Sequence, residues 1–160
     1  MFVRAFTDLP VPFGLAEESL LRSPQTWVPG LASDADARGE RLLAEVGVGR
    51  PGRRINKQVE IDVGPSVRFP SKTVLQLSWR AVGPKGLFPE LEGDLEIAPM
   101  GPTRSQVSLS ARYVPPLGAA GKLVDRALLH RVAEATVQDF VHRTAETLEA
   151  LALEQVSAVP

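Results

Sequence analysis

The chain of 160 residues has no cysteine, only two histidines and only one tyrosine. Without cysteine it can form no disulfide, no thiolate zinc site and no cysteine nucleophile. Two histidines are too few for a histidine-rich metal centre. The 18 basic and 19 acidic residues leave a net charge of −1, which gives no bulk attraction to nucleic acid. We therefore predict no metal, no cofactor and no nucleic-acid partner.

Long apolar runs are absent as well. Arg4 and Asp8 interrupt the N-terminal segment, where a signal peptide would need its apolar core. The uncharged stretch from Tyr113 to Gly121 carries two prolines and is far shorter than the roughly 20 residues of a membrane span. We expect a cytoplasmic protein without a membrane span, monomeric or homodimeric. It is predicted to fold as one domain over residues 1–160, with its last few residues disordered.

The chain does have clear period-2 patterning. Apolar and polar residues alternate in five segments between Leu42 and Tyr113, which is the pattern of half-buried strands. The segments are 42–48, 59–63, 75–79, 95–97 and 107–113, and residues 2–7 add a sixth strand. Glycine and proline residues at 49–52, 64–65, 83–86 and 99–102 predict the turns between them. Short connections between successive strands predict an antiparallel meander.

A helical period flanks the strands on both sides. Pro12 suits the start of a short helix that carries Phe13, Ala16 and Leu20 on one face, and one further short turn is predicted before residue 29. A second, longer apolar stripe predicts an amphipathic C-terminal helix. The stripe contains Ala133, Thr136, Val137, Phe140, Val141, Thr144, Leu148 and Leu151. A straight helix over residues 121–154 would be about 51 Å long, against about 40 Å for a compact domain, so we predict a bend or break near residues 129–132.

The order of these elements and two segments of the sequence resemble a known superfamily. The stretches are Arg112 to Gly118 (RYVPPLG), which runs into LVDRALLHRVAEA at 123–135, and LFPELEG at 87–93. They are similar to bacterial members of the SRPBCC superfamily. That superfamily includes the START lipid-transfer domains, the pollen-allergen-like proteins and the polyketide cyclase/dehydrase-like proteins. The segment from Gly30 to Arg41 matches nothing in it.

The resemblance implies an α+β helix-grip fold. In that fold a curved antiparallel sheet of about six strands wraps around a long C-terminal helix, with one or two short helices after the first strand. It also implies an internal cavity, but no reaction, because members bind lipids, polyketides, hormones or quinones and only a minority are enzymes.

Our leading hypothesis is the binding or carriage of a small hydrophobic molecule, lipid-, polyketide- or quinone-like, between the sheet and the C-terminal helix. The few polar residues that are predicted to face inward, chiefly Thr73, Ser105 and Tyr113, suit an apolar ligand held by burial. Trp27 is expected to close one end of the cavity. The predicted lining is Trp27, Leu75, Leu77, Trp79, Leu95, Ile97, Val107, Leu109, Tyr113, His130, Val137, Phe140 and Val141.

A second hypothesis is a cyclase- or dehydratase-like enzyme. By helical angle His130 lies on the face of Val137 and Val141, in one sector with Arg126 and Glu134, and a histidine beside such groups can move protons. The catalytic candidates are therefore His130, Arg126 and Tyr113. We place binding first because the chain has no nucleophile elbow, no H-E-x-x-H and no Walker loop. A third hypothesis is a structural or regulatory module with a filled interior.

Two further patterns are interpreted as loops. Residues 47–52 fit the letters G-x-G-x-x-G, but the residues after them alternate as a strand, whereas a dinucleotide-binding fingerprint opens a helix. Six basic residues lie between Arg38 and Lys57, which indicates a solvated loop and edge strand more readily than a site that steers an anionic ligand.

Overall fold

Five strands form one antiparallel sheet in the computed structural model, which describes residues 1–22, 24, 27–28, 58–82, 90–114 and 126–158. The strands are β1 (Phe2–Leu9), β2 (Gln58–Phe69), β3 (Lys72–Val82), β4 (Glu90–Pro99) and β5 (Ser105–Val114). Their order in the sheet is β1-β5-β4-β3-β2, so the last four follow one another as the predicted meander and β1 pairs with β5. The strand predicted at 42–48 and the glycine and basic patterns around it lie outside the described residues.

Alternation along β1, β3, β4 and β5 separates a buried inner face from a more exposed outer face, whereas the inner face of β2 is only partly buried. At one end of the sheet the inner face carries a cross-strand row in which Tyr113 pairs with Leu91, Leu91 with Trp79, and Trp79 with Ile61. We call this the Tyr113 row. Thr73 and Ser105, the predicted inward polar groups, are also fully buried, at the other end of the sheet.

The predicted turn at Gly64 and Pro65 is wrong, because these residues lie inside β2 as a β-bulge. Val63 pairs with Leu77 and Ser66 with Leu75, so two residues of β2 stand opposite one residue of β3. β2 is the last strand of the described sheet, and a bulge on such a strand tolerates a proline, which has no N–H to donate. The real turn between β2 and β3 is at residues 70–71.

Two helices cover the inner face. Helix α1 (Phe13–Arg22) buries Ala16 and Leu20, as its period predicted. Helix α2 (Arg126–Ser157) runs without the break predicted near residues 129–132. In its last turns Leu153 and Val156 are exposed, while Ala152 beside them is buried. Neither helix has an apolar stretch long enough to cross a membrane.

Helix α2 lies alongside β1 and runs in the same direction. His130 contacts Tyr113, whose backbone pairs with Met1, while His142 lies 3.3 Å from the Thr7 hydroxyl. Twelve residues of helix and six of strand both span about 18–20 Å, which matches these two contacts. Helix α1 lies at the far end, where Ser19 accepts a hydrogen bond from Gln155. The Tyr113 row therefore lies at the end of the sheet away from α1.

Candidate functional site

The most distinctive polar contact of the interior joins Tyr113 of β5 to His130 of α2. The Tyr113 side chain is buried, with 1% of the residue exposed, and its hydroxyl lies 3.3 Å from His130 Nδ1. The two rings stack with their centroids 6.2 Å apart and their planes inclined by 23°. Periodicity placed both residues on inward faces, and the structure brings them together.

Glu134 extends this contact by one turn of α2. His130 Nε2 lies 3.2 Å from the Glu134 carboxylate, and the two side chains are 36% and 55% exposed. A carboxylate on Nε2 favours the tautomer that carries its proton there, which leaves Nδ1 as an acceptor facing Tyr113. The order carboxylate, imidazole, phenol runs from the surface to the interior. Such a chain can orient a proton or hold the polar group of a ligand.

Met1 supplies a second partner for the Tyr113 hydroxyl. The Met1 nitrogen donates to the Tyr113 carbonyl and the Tyr113 nitrogen donates to the Met1 carbonyl, both at 2.9 Å. These two bonds continue the β1–β5 ladder and fix the Met1 backbone opposite Tyr113. The Met1 thioether accepts from the Tyr113 hydroxyl at 3.0 Å.

An apolar wall continues from this polar end. Trp79 meets Phe140 of α2 edge-on, with ring centroids 5.2 Å apart. Ile61 and Val63, on the inner face of β2, are only half-buried. Among the described elements α2 packs mainly over β1 and β5, so the two helices cover the inner face least near β2. The other predicted lining residues of the sheet and α2 are all buried, namely Leu75, Leu77, Leu95, Ile97, Val107, Leu109, Val137 and Val141.

Two predicted residues are placed only in part. Trp27 is buried, and its indole nitrogen has no hydrogen-bond partner in the part of the chain that the structure describes. Arg126 begins α2, but its side chain lies outside the described residues. Among the described residues, no three carboxylate or imidazole side chains are placed to hold a metal ion.

The sequence interpretation missed two members of this region. Leu91 is buried in the Tyr113 row, and extending the alternation of Leu95 back by two steps would have found it. Met1 carries no such signal, because its contact depends on the register of β1 against β5.

The outer face of the sheet carries a separate open groove of about 600 Å³. Side chains from all five strands line it, including Phe2, Asp62, Gln76, Glu92 and Arg112. Asp62 and Arg80, which form an ion pair beside it, are both mostly exposed. This polar surface lies on the opposite side of the sheet from Tyr113 and His130.

No protein-family model and no curated protein matches the chain. Solved structures do match it. A conserved protein from Geobacillus kaustophilus is similar, with a TM-score of 0.52 and 13% identity over 92% of this chain and 94% of that one. Norcoclaurine synthase from Thalictrum flavum, in complex with dopamine and hydroxybenzaldehyde, has a TM-score of 0.50 and 11% identity over 96% of this chain and 87% of that one. The Zhui aromatase/cyclase from Streptomyces sp. R1128 has a TM-score of 0.46 and 13% identity over 99% and 96%.

The chain has the helix-grip fold. The first two of these structures share its antiparallel sheet and C-terminal helix over nearly the whole chain. At identities this low the likeness establishes the fold alone, and the chemistry has to be argued from the residues. In this helix-grip chain those residues are the Tyr113 row, the polar chain of Glu134, His130 and Tyr113, and the Met1 thioether.

Proposed function

We propose that the chain binds a small hydrophobic molecule between the sheet and α2. The observation that carries the proposal is the half-buried inner face of β2. Ile61 and Val63 point to the same side as the fully buried Trp79 and Leu77, yet they are not fully covered. Apolar surface that stays partly open beside a closed core is what an apolar ligand would cover, at about 25 cal/mol per Å² removed from water.

The predicted lining residues form the walls in this proposal, and Tyr113 and His130 form its polar end. A ligand pocket is typically apolar with a few polar groups that fix orientation. The buried indole nitrogen of Trp27 adds a donor that has no partner among the described residues. In norcoclaurine synthase a similar fold holds dopamine and hydroxybenzaldehyde, which supports small organic molecules as ligands of this fold. Lipid-, polyketide- and quinone-like molecules remain our candidate classes.

The test places a bulky side chain into the proposed site from the inner face of β2. Val63→Trp places a large side chain on the inner face, whereas Val67→Trp places the same side chain on the outer face of the same strand, where Val67 is exposed. The probe is 2-naphthol, followed by its own fluorescence. We expect Val63→Trp to raise the Kd at least ten-fold and Val67→Trp to leave it unchanged, with circular dichroism confirming that both fold.

Equal effects of the two variants would place the probe elsewhere and reject this site. Absence of 2-naphthol binding, together with native mass spectra that show no bound molecule in freshly purified protein, would favour the module with a filled interior.

An acid–base enzyme is the second candidate, and the chain from Glu134 through His130 to Tyr113 is what favours it. In this role His130 would take or give a proton at a bound substrate and Tyr113 would orient it. Turnover of any substrate found should then fall by about 10²-fold or more in His130→Ala. Turnover that survives this substitution would remove His130 from the mechanism.

A further inference from the structure

The Tyr113 hydroxyl has one proton, and two acceptors of the described residues lie within its reach. Met1 Sδ lies 3.0 Å from the oxygen and His130 Nδ1 lies 3.3 Å from it. A phenol donates a single hydrogen bond, so it serves one of these acceptors at a time. Rotation of the hydroxyl about its C–O bond moves the proton from one to the other without moving either ring.

The position of that proton decides whether His130 Nδ1 is free to accept a hydrogen bond from another group. When the hydroxyl points to His130, it occupies Nδ1, the ring nitrogen that the Glu134 contact leaves as an acceptor. When the hydroxyl points to Met1, Nδ1 is released and can accept from another group. The thioether is a weak acceptor, but an occupied acceptor costs less than a buried hydroxyl left without one.

We propose that Met1 is a positioning residue: its thioether holds the Tyr113 proton away from His130, so that His130 Nδ1 can accept a hydrogen bond from a ligand. This inference rests on the proposed function and narrows it. The favoured ligand is an apolar molecule that carries one hydroxyl or N–H donor at the end that meets α2. An apolar molecule without a donor would occupy the same walls and gain nothing from His130.

The backbone supports this role for Met1. Two backbone hydrogen bonds of 2.9 Å hold Met1 opposite Tyr113, so its side chain starts from a fixed backbone, and its sulfur lies 3.0 Å from the phenol oxygen. Met1 is 41% exposed, so substitution of its sulfur does not open the core.

A sulfur-specific replacement tests the proposal. The chain has two methionines, and the other, Met100, is exposed, so Met100→Leu leaves Met1 as the single site of replacement. Norleucine removes the sulfur acceptor and keeps the length of the side chain, while selenomethionine keeps an acceptor of the same kind. Three full-length proteins with methionine, selenomethionine or norleucine at position 1 then differ in this acceptor alone.

The first readout needs no ligand. Tyr113 is the only tyrosine, so a single ¹³Cζ resonance reports the hydrogen bond of its hydroxyl. We expect norleucine to shift this resonance and the ring-nitrogen resonances of His130, while selenomethionine leaves both close to those of the methionine protein. Unchanged resonances in the norleucine protein, with its circular dichroism intact, would overturn the role of Met1.

The second readout compares 2-naphthol with 2-methoxynaphthalene, which lacks the donor. The methionine and selenomethionine proteins should bind 2-naphthol about three- to ten-fold more tightly, the range expected for one hydrogen bond, and norleucine should reduce that preference to less than two-fold. A preference that norleucine leaves unchanged would overturn the inference while the proposed function stands. If neither compound binds any of the three proteins, and native mass spectra show no molecule bound to them, the proposed function itself fails.

Discussion

Gly93 is a residue at which the sheet has no room for a side chain. It lies on the inner face of β4 beside Ala111 of β5, and a Cβ built on it would stand 2.7 Å from the Ala111 Cβ and 2.7 Å from the Ser110 carbonyl oxygen. Real Cβ atoms do not approach this closely, and backbone cannot turn aside as a flexible side chain can. We expect Gly93→Ala to destabilise the chain by about 1–3 kcal/mol in urea unfolding, through overpacking.

Gly14→Ala is the matched control for that measurement. Gly14 lies in the first turn of α1, and a Cβ there would meet nothing within 4 Å. Alanine favours a helix over glycine, so this variant should be between neutral and about 1 kcal/mol more stable. If Gly93→Ala and Gly14→Ala behave alike, the close approach of β4 and β5 does not limit stability.

Individual residues of the candidate site could be predicted from the sequence to the extent that periodicity alone determines them. Strand alternation placed Trp79 and Tyr113 inward, and helical angle placed His130 toward the sheet. The contact of Met1 with Tyr113 could not be predicted in this way, because it joins residues 112 positions apart through the register of two strands. Periodicity gives the face on which a side chain lies, but not its partner across the sheet.

At the scale of elements, one carboxylate connects α1 to the β2–β3 hairpin. Glu17 accepts a 2.5 Å hydrogen bond from the Thr73 hydroxyl and lies 3.1 Å from Arg68. Thr73 is fully buried, whereas Arg68 is exposed. The Thr73 contact should therefore carry most of the stabilisation, since exposed ion pairs contribute about 0–1 kcal/mol and a buried hydroxyl that loses its acceptor costs about 1–3 kcal/mol.

A double-mutant cycle separates these contributions. Glu17→Ala alone should cost about 1–3 kcal/mol, because it leaves the Thr73 hydroxyl buried without this acceptor. In the background of Thr73→Val, which has the same shape and no hydroxyl, the same substitution should cost only the exposed ion pair, about 0–1 kcal/mol. Urea unfolding of the four proteins gives both values. Equal costs in the two backgrounds would show that the Thr73 contact does not stabilise the connection.

The elements themselves were predicted well where one period runs unbroken, and less well where a local signal has two structural meanings. Gly64 and Pro65 are typical of a turn, yet they also suit a bulge on an edge strand, and the pairing of β2 with β3 decides between the two. The break predicted in α2 came likewise from comparing the length of a straight helix with the diameter of a compact domain. The helix instead continues from Arg126 to Ser157 and still packs in its last turns, where Ala152 is buried and Gln155 donates to Ser19.

At the scale of the whole molecule, residues far apart in the sequence meet at both ends of the sheet. Ser19 and Gln155, 136 residues apart, meet at one end of the sheet, and Met1 and Tyr113 meet at the other. One hydrophobic cluster contains the buried apolar residues of β1, β3, β4, β5 and both helices. Ile61 and Val63 of β2 pack against this cluster. The described strands and helices therefore share a single core, which extends from β1 to the last turns of α2. We expect the described part of the chain to unfold in one cooperative transition.

Leu148→Ala tests that expectation from a point far along α2. Leu148 is fully buried, so the substitution should cost about 2–5 kcal/mol, whereas Leu153→Ala, at an exposed position on the same helix, should stay within about 0.5 kcal/mol of the parent. In a Trp27→Phe background, tryptophan fluorescence reports Trp79 on the inner face of β3, and far-ultraviolet circular dichroism reports chiefly the helices. In one cooperative unit Leu148→Ala lowers the urea midpoint of both signals equally. If the dichroism midpoint falls while the fluorescence midpoint stays, α2 and the sheet unfold separately. In that case the inner face of the sheet would keep its structure without the C-terminal half of its cover.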